Sequence, residues 1–426
     1  MDALDPSDGQ LTHILPPVRP MGCKPDVANL DIEWPPSEYY GMVEQLVTTY
    51  LKADGRLSLP DGDGPIRELE EAYARWVGVD YALACNSGTS AIHSAYVGIG
   101  LEPGDEVLAA AYSFHASLTP LLHVGAKPIL CELDQETGNL DLVNAERRIT
   151  PRTRAIMVTH LYGYPADMAA IMRLAKEYGL KVIEDCSHAH GASFKGRPVG
   201  SIGDVGVFSL QANKLAPGGE GGILVTSSLE IFERAVTLGH FNGRAFRLVN
   251  PSLRRIAATG FGLKYRIHPL AALAALAGLE INRRYGPQRR LHARAIADAL
   301  DETAVVSFQY DPEASYFAFR LRYRPDACGG VSVDDFVAAA RRNGLDLRRA
   351  SMPALFDLPL FSDGAAPYSR RASTDWPTYH ASDYPKTCMY KDRLLGMPAY
   401  WHPHHGVLRD AFVNTLLSLA KELSWV

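Results

Sequence analysis

Two polar residues stand where short apolar runs end. Ile183-Glu184-Asp185-Cys186-Ser187-His188 places an acid at the close of one run. Val207-Phe208-Ser209-Leu210-Gln211-Ala212-Asn213-Lys214 places a lysine just beyond another. In open α/β sheets, ligands sit at the carboxyl ends of the strands, so an acid and an amine delivered there face one ligand. A lysine amine forms an imine with a carbonyl and, once released, moves a proton between carbons as base and acid. A carboxylate opposite a pyridine nitrogen keeps that nitrogen protonated and makes the ring an electron sink.

These are the needs of pyridoxal 5′-phosphate chemistry, with Lys214 as the Schiff-base lysine and Asp185 as the partner of the ring nitrogen. The phosphate of such a cofactor needs backbone donors. Cys85-Asn86-Ser87-Gly88-Thr89-Ser90-Ala91 runs from an apolar segment through small residues into a helical pattern. A helix that starts so offers free amides and a hydroxyl to an anion, and Ser209 can add another hydroxyl. Taken singly, each piece has a plainer reading. A lysine after a strand is commonly a solvated surface residue, Asp185 can cap a helix, and Ser-Gly-Thr is a common turn. The glycines of Gly218-Gly219-Glu220-Gly221-Gly222 can be a flexible connector. Their order and spacing within one chain favour the cofactor.

The elements that must position these residues are legible as a pattern. Apolar runs at 81–85, 106–110, 127–131, 153–160, 181–184, 205–209 and 222–226 are in several places separated by helical stretches, such as 166–179. That is the βαβ signature of a mostly parallel sheet covered by helices. The last two runs are joined by a segment too short for a crossover helix, so one strand is expected to be reversed. Residues 1–36 are Pro-rich and read as an irregular arm, and residues 37–285 read as a large α/β domain. A long helix beginning after Pro269 leads to a smaller C-terminal α+β domain, residues 286–426, in which 362–384 look like a loop.

The 426 residues carry a formal net charge of −5. No basic excess marks a nucleic-acid or anionic-membrane partner. The six cysteines are scattered without C-x-x-C spacing, which points to reduced thiols and not to a disulfide framework. The N-terminus lacks the basic and apolar regions of a secretory signal. No apolar run approaches the ~20 residues a spanning helix needs. A soluble, cytoplasmic protein is expected. His402, His404 and His405 beside Trp401 invite a metal reading, but no carboxylate or cysteine cluster accompanies them, so a polar loop is expected and no metal site.

The chain resembles the DegT/StrS-type aminotransferases, fold-type I pyridoxal-phosphate enzymes that aminate keto-sugars and keto-cyclitols. The matching segments are N-S-G-T-S-A (86–91), G-x-x-P-G-D-E-V (100–107), H-L-Y-G-Y-P-A-D-M (160–168) and E-D-C-S-H-A-H-G-A (184–192). They continue with K-G-R-P-V-G-S-I-G-D-V-G-V-F-S (195–209) and N-K-L-A-P-G-G-E-G-G (213–222). The resemblance is strong from about residue 55 to 285 and thin beyond.

It implies roles residue by residue. Lys214 matches the Schiff-base lysine, Asp185 the ring-nitrogen partner, and His188 the His or Gln near the cofactor's ring hydroxyl. Gly88, Thr89 and Ser209 match phosphate contacts, and Phe114 the aromatic residue that stacks on the pyridine face. Where the family often has Asn-Tyr-Arg, whose Asn reaches the phosphate in the neighbouring subunit's site, this chain has Lys264-Tyr265-Arg266. Lys264 can pair with that phosphate as a point charge, and Asn242 is a substitute candidate. The resemblance implies a homodimer with sites at the subunit interface. It also implies a ping-pong reaction from glutamate or glutamine to a keto-sugar, keto-cyclitol or related cyclic ketone, in a biosynthetic pathway such as that of an antibiotic. Two rivals are a dehydratase or isomerase using the same Schiff base, and a degenerate, non-catalytic regulatory protein. Related dehydratases carry His at the lysine position, so Lys214 favours transamination.

Overall fold

The seven apolar runs form one sheet in this computed structural model, which describes residues 33–241, 243–366 and 376–423. In chain order the strands are β1 (Tyr81–Cys85), β2 (Glu106–Ala110), β3 (Lys127–Cys131), β4 (Thr153–Thr159) and β5 (Lys181–Asp185). A small hairpin of β6 (Ser193–Phe194) and β7 (Arg197–Pro198) precedes β8 (Val205–Ser209) and β9 (Gly222–Thr226). The large sheet has the order β1-β9-β8-β5-β4-β2-β3. β9 pairs antiparallel with both β1 and β8, and the other pairings are parallel. The expected reversed strand is therefore β9, and its cause is the short 210–221 connection, which cannot cross over. Strand interiors such as Leu83, Leu108, Ile156, Ile183, Val207 and Leu224 are fully buried, as both-face coverage by helices requires.

Helices α1 (Ser37–Ala53), α2 (Pro65–Val77) and α3 (Gly88–Gly98) come first in the chain. α2 begins with Pro65 at its first turn and ends on the left-handed Gly78, a start and stop readable from sequence. The long helix Pro269–Leu300 is capped by His268, whose side chain accepts from the Leu270 N–H. It carries the chain to a second, antiparallel sheet, with β10 (Val306–Phe308), β11 (Phe319–Tyr323), β12 (Arg348–Arg349) and β13 (Leu394–Met397) in the order β10-β11-β13-β12. The described residues fall within one compact unit. None of their helices is long and apolar enough to cross a membrane. Most of the expected arm lies outside the described residues, as does 367–375 of the expected loop.

One buried carboxylate holds the site-bearing strands in place. Glu184 of β5 accepts from His160 Nε2 at 3.1 Å and from the N–H groups of Gly200, Ile202 and Gly203 at 2.8, 2.8 and 2.6 Å. The His160 Nδ1 accepts from Ala166 N at 3.1 Å, so Nε2 carries the proton. Burial pushes the Glu184 carboxyl up, and the donors from His160, Gly200 and Gly203 more than offset it, holding it below the ordinary range. The segment entering β8 is thereby tied to the strand that bears Asp185.

Candidate active site

Five strand ends converge on one cavity of about 580 Å³. Ser87, Gly88 and Thr89 follow β1, Ser113 to Ala116 follow β2, Tyr162 follows β4, Ser187 and His188 follow β5, and Lys214 follows β8. All these strands run the same way, so their carboxyl ends share one edge of the sheet.

Ser87 caps α3. Its Oγ accepts from Ser90 N at 3.0 Å, while Ser90 Oγ accepts from Ser87 N at 3.0 Å. This capping box uses the Ser87 and Ser90 amides and leaves those of Gly88 and Thr89, which have no partner within the helix, at the cavity. Gly88 is needed because a Cβ there would lie 2.8 Å from the Ser209 Cβ. The close approach sets the Ser209 hydroxyl beside the helix N-terminus. Gly222 serves the same junction, since a Cβ on it would collide with the Ser87 carbonyl and the Gly88 nitrogen. These glycines make tight contacts, which the plain reading as a flexible connector does not provide.

Asp185 is buried at the end of β5. Its Oδ2 accepts from Ser117 Oγ at 2.6 Å and its Oδ1 from Ser187 N at 3.0 Å. Ser117 continues through Ser113 at 3.1 Å to Thr159 at 2.9 Å, so a chain of hydroxyls fixes the carboxylate's orientation. Lys214 sits in the turn after β8, with its N–H donating to Gln211 O at 2.9 Å and its carbonyl accepting from Trp34 Nε1 at 2.8 Å. Its Nζ is 4.8 Å from the Phe317 ring centroid. Burial lowers the Lys214 pKa, with Asp185 pulling the other way. An amine so placed loses its proton more readily than a surface lysine.

The His188 ring lies between two others, nearly parallel to Phe317 at 4.2 Å and to Tyr162 at 6.0 Å. Burial, then Lys214 and Arg320, push its pKa well below the usual histidine value, so it is neutral. Its Nδ1 is buried without a partner among the described residues. Phe114 borders the cavity at 52% exposure, its ring 4.4 Å from that of His115.

Lys264 is exposed and does not border this chain's cavity. Its carbonyl accepts from Asn86 Nδ2 at 3.1 Å, next to the start of α3. Asn242 lies outside the described residues. His115 and Tyr162 line the cavity, whereas His190 is buried among Tyr73, Trp76 and Phe208. The His402 and His405 imidazoles accept backbone N–H groups of their own turn, and His292 bonds the His402 carbonyl at 2.9 Å. Sequence reading missed Ser117, Phe317 and Arg320. Ser117 carries only the signal of a serine three residues after Phe114, and the other two come from a distant segment with no local motif.

Two curated relatives share substantial sequence with this chain. GDP-perosamine synthase of Caulobacter vibrioides is 38% identical over 239 residues, 56% of this chain and 60% of that one. The L-glutamine:scyllo-inosose aminotransferase of Streptomyces griseus is 34% identical over 280 residues, 64% of this chain and 66% of that one. The matches therefore span somewhat under two thirds of these relatives. An aminotransferase structure from Psychrobacter cryohalolentis covers 92% of this chain and 99% of its own, with TM-score 0.77 and 23% identity, a likeness of fold. The model of the DegT/DnrJ/EryC1/StrS aminotransferase family matches residues 56–382. On that match and this topology, the chain belongs to the DegT/DnrJ/EryC1/StrS aminotransferase family of fold-type I enzymes, whose cofactor is pyridoxal phosphate.

Proposed function

We propose that the chain is an aminotransferase that moves an amino group from glutamate or glutamine to a keto-sugar, keto-cyclitol or related cyclic ketone. The observation that carries this reading is the pairing of Lys214, its amine made easier to deprotonate by burial, with the oriented Asp185 carboxylate on one cavity edge. The residues present fit pyridoxal phosphate. The uncapped amides of Gly88 and Thr89 beside Ser209 suit a phosphate, and the orphaned His188 Nδ1 suits a polar ring substituent. When bound, this cofactor supplies a carbonyl that takes up amino groups and a ring that withdraws electrons.

The chain's own residues do the rest. Asp185, held by Ser117 and Ser187, would keep the ring nitrogen protonated. Lys214 Nζ would hold the cofactor and, once released, would be placed to take and return a proton at the substrate carbon. Phe114, which borders the cavity, would stack on the cofactor's ring. The relative named for glutamine and scyllo-inosose supports a glutamine donor and a cyclitol acceptor, and the one named for GDP-perosamine supports a sugar. We read residues 37–285 as the cofactor-binding part and 286–426 as the part that shapes the acceptor pocket.

A homodimer with shared sites belongs to the same reading. Phe246, Val249 and Phe261 are 68%, 68% and 56% exposed within one short stretch of chain, and such apolar surface marks a partner face. The stretch ends beside Lys264, which the family resemblance places at the phosphate of the neighbouring subunit's site. The deciding experiment is Lys214→Ala. It should abolish the near-visible absorbance of lysine-linked cofactor and cut kcat by at least about 10²–10⁴-fold, the range of general acid–base catalysis. Full transamination by that variant would end the assignment.

A further inference from the structure

β11 alternates strictly. Phe319, Leu321 and Tyr323 enter the core, and Arg320 and Arg322 face the other side. Arg322 is matched there, donating to Gln135 O at 3.0 Å and to the Glu136 carboxylate at 2.7 Å. Arg320 is not. Its guanidinium lies over the Tyr162 ring, 4.5 Å from the centroid, and its Nε is buried without a hydrogen bond. No carboxylate among the described residues pairs with it. The fold also makes room for this side chain. Its cross-strand partner is Gly396 of β13, where a Cβ would collide with Arg320 Nη1.

A half-buried guanidinium with no counter-charge is costly, because desolvation is not repaid by a partner. A guanidinium without a counter-charge at the wall of a cavity is open to an anion from outside. Arg320 is the sole arginine among the described residues bordering the cavity that holds Lys214. An amino acid carries its amine and its α-carboxylate on one carbon, so an amine presented at Lys214 brings its carboxylate into the same cavity. The planar fork of a guanidinium matches a carboxylate in two parallel hydrogen bonds. The ring of Tyr162 fixes the fork's plane from one face.

We propose that Arg320 receives the α-carboxylate of the amino donor. This rests on the aminotransferase reading and names the group that selects α-amino acids as donors. Both glutamate and glutamine carry that carboxylate, so one guanidinium serves either.

The test uses cofactor-loaded wild type, Arg320→Gln and Arg320→Lys. Calorimetric titration with α-methyl-L-glutamate, which has no α-hydrogen to transfer, reads binding apart from turnover. Arg320→Gln should weaken it roughly 10- to 100-fold, the span of one charge-assisted interaction, and raise KM for L-glutamate and L-glutamine alike. Arg320→Lys should recover part of the loss. Thermal stability of Arg320→Gln should stay close to that of wild type, since no ion pair among the described residues is broken. Unchanged binding of the analogue overturns the proposal. So does a loss seen with glutamate but not glutamine, which assigns the guanidinium to the γ-carboxylate. Lost affinity for inorganic pyrophosphate with the analogue unaffected also overturns it, in favour of an acceptor's phosphate. If wild type binds the analogue through Arg320 yet takes an amino group from no donor, the carboxylate site stands and the aminotransferase reading falls.

Discussion

Asp185 acts on Lys214 at the edge of the sheet where both border the cavity. Burial lowers the lysine's pKa and the carboxylate partly restores it. Neutralising the carboxylate therefore shifts the balance in a definite direction. In Asp185→Asn the opposing pull is gone, so Nζ should lose its proton at a lower pH than in wild type. The pH dependence of cofactor capture by the apoprotein reads this, because only the neutral amine attacks a carbonyl. Its midpoint should move down, while turnover falls for want of a group to hold the ring proton. A midpoint that stays or rises would show that Asp185 does not hold the Nζ pKa up. Ser117 belongs to the same scale. Its hydroxyl gives Asp185 a fixed orientation, which the acid's position in sequence does not provide.

At the scale of elements, the site depends on how closely α3 approaches β8 and β9. Helix and strands meet backbone to backbone, with Gly88 against Ser209 and Gly222 against Ser87. A side chain at either glycine has to be accommodated by backbone movement, since no flexible side chain is there to yield. Gly222→Ala should therefore cost about 1–3 kcal/mol, the usual price of overpacking a tight interior. It should also weaken cofactor binding by tilting the amides of Gly88 and Thr89. Chemical denaturation and cofactor titration check the two effects, and wild-type values in both would remove the close-packing account. The glycine cluster of residues 218–222 was visible as punctuation in the sequence. Whether it loosened the chain or allowed close approach depended on what lay opposite, and that neighbour is more than a hundred residues away.

At the scale of the whole molecule, the exposed Phe246, Val249 and Phe261 and the exposed Lys264 lead to one expectation. On the dimer proposed above, a chain carrying Phe246→Asp and Phe261→Asp should sediment as a monomer and hold its cofactor more weakly, with Lys264 withdrawn from the neighbouring site. Lys264→Ala should weaken cofactor binding in the intact dimer. Sedimentation velocity with cofactor titration separates these cases. Monomers with undiminished cofactor affinity would rule out a shared site. The two sheets contribute differently to the molecule. The large sheet delivers Lys214, Asp185 and the Ser87–Thr89 turn to the cavity, and β11 of the antiparallel sheet with the residues before it brings Arg320 and Phe317 there.

The sequence alone determined the parallel sheet and its reversed strand, because apolar runs, helical periods and a connection too short to cross over are local properties. It also located Lys214, Asp185, Ser209 and the Ser-Gly-Thr turn, because each sits at the end of a strand that its own neighbours define. Tertiary structure decided which distant groups meet them. Ser117 orienting Asp185, Phe317 and Tyr162 enclosing His188, and Arg320 lying over Tyr162 beside an empty position at Gly396 all join segments far apart in the chain. Arg320 and Arg322 share one face of β11. Only the packing of the second sheet against the first gave Arg322 a carboxylate and left Arg320 without one.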